Sequence, residues 1–160
     1  GSKETEVNTI QKTFVLTVIG LFVCTTALYS QSNDWLDELL SQNPARLDYV
    51  SYLLLSASGD ISEDDSPSAA FDCAASLGLF PPDVTPESSV RIDLLSFMLM
   101  KTLDLSGGVL YRLFPGPRYA YKHLVYLGVV ADSGEPARLV AGDEAVRSLG
   151  YALEFKGGTR

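Results

Sequence analysis

Histidine occurs once in this chain, as His123, and cysteine twice, as Cys24 and Cys73. A zinc cage draws its four ligands mostly from these two residue types, and a Cys–His dyad needs both partners in one place. Neither can be assembled here, and no metal or other cofactor is expected. Basic residues are scarce too: 12 Lys and Arg stand against 20 Asp and Glu, a formal charge of −8. Binding a phosphate backbone relies on clustered cations that displace counterions, so nucleic acid is not an expected partner. The acidity itself reads as a solvated surface.

Long uncharged apolar runs are limited to residues 14–28, which follow Lys3 and Lys12 and precede Tyr29-Ser30-Gln31. A run of about 15 residues is short for a membrane span and has the layout of a secretory signal. Residues 1–30 are therefore read as an export signal cleaved after Ser30, with Gly1-Ser2 set apart as extraneous to it; a membrane is met only through this segment if it is retained. An ordered strand or core helix over residues 7–28 is the alternative. Cys24 has Leu21 three residues before it, as a lipidation cysteine would, but the bulky Val23 opposes that use. With the signal removed, Cys73 is the only cysteine left, and no intramolecular disulfide can form. Its setting, Ala69-Ala70-Phe71-Asp72-Cys73-Ala74-Ala75, suits a small buried hydrophobe.

The chain does have enough apolar sequence, 46% of 160 residues, for one domain with its own core. Proline and glycine divide it into short helical stretches. Ser32-Asn33-Asp34 can cap a helix over residues 35–40. A helix follows Asn43-Pro44 and ends at Gly59, and residues 60–68 form an acidic surface loop without the ligand spacing of a calcium-binding loop. Residues 68–80 read as a helix closed by Leu77-Gly78-Leu79, with Gly78 suited to a left-handed end. Pro81-Pro82-Asp83 forces an extended link. A helix then spans residues 89–103. After Gly107-Gly108 and an apolar stretch to Phe114, Pro115-Gly116-Pro117 introduces a helix with the same Leu-Gly-aliphatic ending. Residues 132–138 make a turn, residues 141–153 the last helix, and 157–160 a tail.

A segment recurs three times within this pattern: Ala45-Arg46-Leu47-Asp48, Val90-Arg91-Ile92-Asp93 and Ala141-Gly142-Asp143-Glu144, each opening an amphipathic helix. Matching Asp48, Asp93 and Glu144 gives spacings of 45 and 51 residues, the length of a two-helix unit with its loop. Units of this size bury their apolar faces on one another. A helix ending in Leu-Gly, a loop, and a second helix led by such a tetrapeptide resembles the S-layer homology motif. The likeness runs over about residues 34–155, and the third copy has Gly142 in place of the arginine. The resemblance implies an all-α fold over residues 31–156, a bundle of helix-loop-helix repeats in a pseudo-threefold arrangement.

What the resemblance further implies is attachment to the bacterial cell envelope, in the periplasm or at the cell surface. Family members hold acidic cell-wall polymers in grooves beside the motif arginine, which makes Arg46 and Arg91 the matching candidates. A guanidinium suits that task because its planar fork grips a carboxylate at two points and keeps its charge. Each arginine also stands two residues before an aspartate at a helix start, where it could simply brace a loop. A second cluster, Arg112, Arg118, Tyr119, Tyr121, Lys122, His123 and Tyr126, combines cations with aromatic rings on an otherwise acidic chain. Arg118, Tyr119, Tyr121 and Lys122 join the binding candidates, since stacking faces beside donors hold sugars and charged peptide ends. Tyr119, His123 and Tyr126 have helical spacing and could equally run from core to rim.

The expected protein is a non-catalytic envelope module whose partner is cell-wall glycan or an envelope protein. A scaffold for protein or homo-oligomeric assembly without a glycan site is the alternative. An envelope glycan hydrolase would need a carboxyl pair set across a cleft. The available pair, Asp83 and Glu87, lies in a proline-rich loop where solvation is the default.

Overall fold

Pro67 and Pro117 each stand at the first position of a helix, where their missing N–H costs nothing, and Ser66 caps the former by accepting from Ala69 N at 3.2 Å. Such punctuation yields short helices throughout. The computed structural model describes residues 34–158. Its helices are α1 (Asp34–Ser41), α2 (Leu47–Ser58), α3 (Pro67–Ser76), α4 (Ile92–Thr102), α5 (Val109–Leu113), α6 (Pro117–Tyr126) and α7 (Gly142–Lys156). The fold is all-α; the only extended pairings among the described residues are isolated bridges, Arg46 with Ser89 and Arg91 with Leu139. The chain divides into units of residues 1–36 and 37–160, and the core described below belongs to the second. The expected export signal, residues 1–30, lies outside the described residues, as does the alternative strand or helix over 7–28. No helix among the described residues is long and apolar enough to cross a membrane.

Two helical hairpins repeat one local design. In α2–α3 and in α4–α6 the helices lie against each other, and α7 contacts both α2 and α4. The interior is filled by Val50, Leu54, Leu55, Leu95, Met98, Leu99 and Leu124, all essentially inaccessible. Gly78 and Gly128 end the second helix of each hairpin at φ +65° and +70°, values that cost a glycine little. The following residues then bond back in parallel, Leu79 N to Ala74 O and Val129 N to Leu124 O. The buried Ser51 and Ser96, at matching places in the two first helices, each donate at 2.7 Å to the carbonyl four residues back.

The segments leading into α2, α4 and α7 meet one another. Ala45 N donates to Val140 O (2.7 Å), Val140 N to Val90 O (2.9 Å) and Val90 N to Ala45 O (3.0 Å), closing a ring of three backbone hydrogen bonds. One step outward, Leu47 N bonds Ser88 O, Ile92 N bonds Arg138 O and Gly142 N bonds Gln42 O. All three residues at the ring are fully buried. This explains why α2 and α4 start later than helical periodicity predicts, at Leu47 and Ile92. The residues just before them are held extended to make the ring.

The ring also corrects the alignment of the third segment by one residue. Arg46, Arg91 and Ala141 are the N-cap residues of α2, α4 and α7, with φ of −86°, −92° and −81°. Val140 therefore takes the place of Ala45 and Val90, and Asp143, not Glu144, takes the place of Asp48 and Asp93. Gly142 stands where Leu47 and Ile92 stand, so the residue in the arginine's place is Ala141.

Candidate ligand groove

The two motif arginines are held alike. Arg46 Nε and Nη2 donate to the two carboxylate oxygens of Asp48 at 3.2 and 2.7 Å, and Arg91 makes the same pair of bonds to Asp93. Both aspartates are 5% exposed and also accept from the next residue's N–H, Tyr49 or Leu94, in the first turn of the helix. Negative charge there is favoured by the helix dipole. The hydrogen bond to Asp93 raises the Arg91 pKa above its already high ordinary value, so its charge is permanent. Both arginines brace their own helix starts and still present an exposed edge, 40% of the Arg46 side chain and 53% of that of Arg91.

Arg91 opens onto a sizeable groove. Arg91 and Asp93 form part of a cavity of about 780 Å³ whose long wall is one face of α6, Arg118, Tyr121, Lys122 and Val125. These residues stand at i, i+3, i+4 and i+7, the spacing that brings side chains to one side of a helix. The opposite wall is the 132–137 turn, with Asp132, Glu135 and Pro136. The turn is pinned from several sides. Tyr121 OH donates to Asp132 Oδ1 (3.2 Å) and accepts from Ser133 N (3.1 Å), and Asp132 Oδ1 accepts from Gly134 N (2.9 Å). Asp93 N bonds Pro136 O at 3.1 Å. Tyr121 is buried, so it shapes the groove and does not offer a stacking face. Arg118 and Lys122 are exposed and, among the described residues, have no carboxylate partner.

The remaining sequence candidates fall elsewhere. Arg46 lies 3.8 Å from Glu87 and 5.5 Å from the centre of the Tyr49 ring, away from this groove. At the positions of α3 that correspond to Arg118 and Lys122, 50 residues earlier, stand Ser68 and Asp72. The two bases on α6 thus have no basic counterpart on α3. Tyr119 turns to a smaller cleft of about 230 Å³ with Val109, Leu110, His123 and Tyr126. The reading of Tyr119, His123 and Tyr126 as a core-to-rim stripe is corrected: α6 buries Ala120, Tyr121 and Leu124, and Tyr126 is 85% exposed. Cys73 is half-buried, while its neighbours Ala70 and Ala74 fill the interior. Asp83 is exposed on its loop and Glu87 is held beside Arg46.

The third helix start has a different solution. Arg138 donates to both oxygens of Glu144 at 2.8 and 2.6 Å, and Asp143 pairs with Arg147 one turn on, at 2.6 Å. The Arg147 hydrogen bond lowers the Asp143 pKa below the usual carboxylate value. A depressed folded-state pKa contributes stability that is present above the unfolded pKa and is lost as pH falls through the folded one. Arg147→Ala is expected to move the Asp143 titration upward toward that of a free aspartate, read by carboxyl carbon NMR. An unmoved titration would show that this bond does not hold the proton off.

What the groove offers is a mixture: two cations with no carboxylate partner among the described residues, the carboxylates of Asp132 and Glu135, and the apolar surfaces of Val125 and Pro136. Among the described residues no three His, Cys, Asp or Glu side chains are placed to hold a metal ion. Sequence reasoning missed Asp132, Glu135 and Pro136, which read only as a turn. A signal was present, since the 50-residue spacing sets Glu135-Pro136 opposite Thr85-Pro86 in the earlier unit. Comparison with protein families, curated proteins and solved structures gives no match to this chain.

Proposed function

We propose that this protein is a non-catalytic module of the bacterial cell envelope that holds an acidic cell-wall glycan in the groove between α6 and the 132–137 turn. The observation that carries this reading is the convergence of Arg91, Arg118 and Lys122 on one groove. The mixed lining favours an acidic sugar over a plain polyanion. Arg118 and Lys122 take the acid group, while Asp132 and Glu135 accept from sugar hydroxyls and repel a uniformly negative chain. The backbone ring at the starts of α2, α4 and α7 supports an arrangement like that of S-layer homology repeats, with pseudo-threefold symmetry about Ala45, Val90 and Val140. The apolar run at residues 14–28 supports export to the periplasm or cell surface.

The test is co-sedimentation with purified insoluble cell wall. Charge-assisted hydrogen bonds contribute about 1.5–3 kcal/mol each, so Arg118→Glu/Lys122→Glu should weaken pelleting by about tenfold or more. Arg46→Ala, outside the groove, should leave it unchanged. Equal pelleting by wild type and the double variant would overturn the groove assignment. Pelleting by neither, with both folded, would favour the scaffold reading.

A further inference from the structure

We propose that α5 and the turn after it dock the protein on an anionic lipid bilayer. It draws on Arg118 and Lys122, as the glycan reading does, but its contact surface is α5. Helix α5 buries none of its residues, and Val109, Leu110, Leu113 and Phe114 are 72, 56, 64 and 60% exposed. Four large apolar side chains on a five-residue helix and its cap make a concentrated apolar tip that contributes little to the core. The repeat does not require such a tip. The same connection in the first hairpin, between α2 and α3, is the polar segment Asp60-Ile61-Ser62-Glu63-Asp64-Asp65.

The tip is held in place, not left loose. The Tyr111 ring lies against Gly107, where an added Cβ would come within 2.2 Å of it. His123 Nε2 is 3.1 Å from Ser106 O, and the Phe114 ring lies 6.0 Å from that of Tyr119. Glycine and ring contacts thus fix the base of α5 while its apolar side chains face outward.

Charge selects the occupant. Residues 105–131 contain no Asp or Glu but carry Arg112, Arg118 and Lys122, on a chain whose net charge is −8. All three bases are exposed. An apolar tip rimmed by cations, with the exposed Tyr126 ring nearby, matches the layers of an anionic membrane surface: acyl chains below, aromatic-friendly interface, phosphate above. A twofold contact of this patch with itself would set the three bases of one copy against those of the other, which disfavours a homodimer here.

Hydrogen exchange of the full chain provides the test, with phosphatidylcholine vesicles with and without phosphatidylglycerol. Anionic vesicles are expected to slow exchange of amides 109–114 on the order of tenfold, neutral vesicles far less, and added salt should reverse the effect. Leu110→Asp/Leu113→Asp should lose this protection while α2 and α4 stay protected, which shows that the variant folds. No protection at 109–114 on anionic vesicles would overturn the proposal. So would the same protection appearing without lipid as protein concentration rises, which would identify a second copy as the occupant.

Discussion

Gly142→Ala is expected to destabilise the protein by about 2–3 kcal/mol, lowering its melting temperature by roughly 5–10 °C. A Cβ at this position would lie 1.8 Å from the carbonyl oxygen of Leu39 and 2.7 Å from its carbonyl carbon. The obstacle is backbone at the end of α1, which no rotamer change can move aside. Gly142 N also donates to Gln42 O at 2.9 Å, so the close approach is itself hydrogen-bonded and cannot be relaxed without losing that bond. Alanine gains up to about 1 kcal/mol of helix propensity over glycine, and the expected net loss already includes that offset. Leu39→Ala should not rescue the variant, because the first atoms met belong to the main chain. Thermal and urea melts followed by circular dichroism would decide it, and a Gly142→Ala protein as stable as its parent would mean that α1 and α7 can separate freely.

The second large effect is expected at the ring. Val90→Pro removes the N–H that bonds Ala45 O and leaves a buried carbonyl unmatched, at a cost of about 1–3 kcal/mol. Lost side-chain contacts in a site with no accessible surface add to this, for an expected total near ~4 kcal/mol. Val90→Ala separates the two contributions, since it keeps the N–H and should cost only about 1–2 kcal/mol. Because the ring joins the starts of α2, α4 and α7, the proline variant should unfold with a lower midpoint across all three helices. Similar urea midpoints for the proline and alanine variants would show that the ring hydrogen bond contributes nothing of its own.

Arg46 and Arg91 show where reading the sequence succeeds and where it stops. Their surroundings in the chain are nearly interchangeable, Ala-Arg-Leu-Asp and Val-Arg-Ile-Asp, and the local consequence is the same: a bidentate pair with the aspartate two residues on. Their wider settings differ because α3 brings Asp72 to the position where α6 brings Lys122. That contrast lies in a second helix, distant in sequence, and no inspection of the tetrapeptide exposes it.

The third segment differs for a related reason. Matching by residue type pairs Glu144 with Asp48 and Asp93, since all three are acids near a helix start. Backbone hydrogen bonding places Asp143 there instead, and a shift of one residue converts an apparent loss of arginine at Gly142 into a glycine required by the approach of α1.

The sequence by itself determined the all-α class and the succession of short helices apart from α5, whose residues read only as an apolar stretch, because Pro67, Gly78, Pro117 and Gly128 act within a turn or two of where they stand. The helix read over 68–80 stops at Ser76, before Gly78. It also determined the excess of acid and the concentration of bases and rings between Arg112 and Tyr126. Only the tertiary structure decided which of those bases share a groove with Arg91, that Tyr121 is a pin for the 132–137 turn, and that α5 faces outward. Those outcomes depend on helices packing across dozens of residues and on backbone bonds between the three helix starts, interactions whose partners local periodicity does not specify.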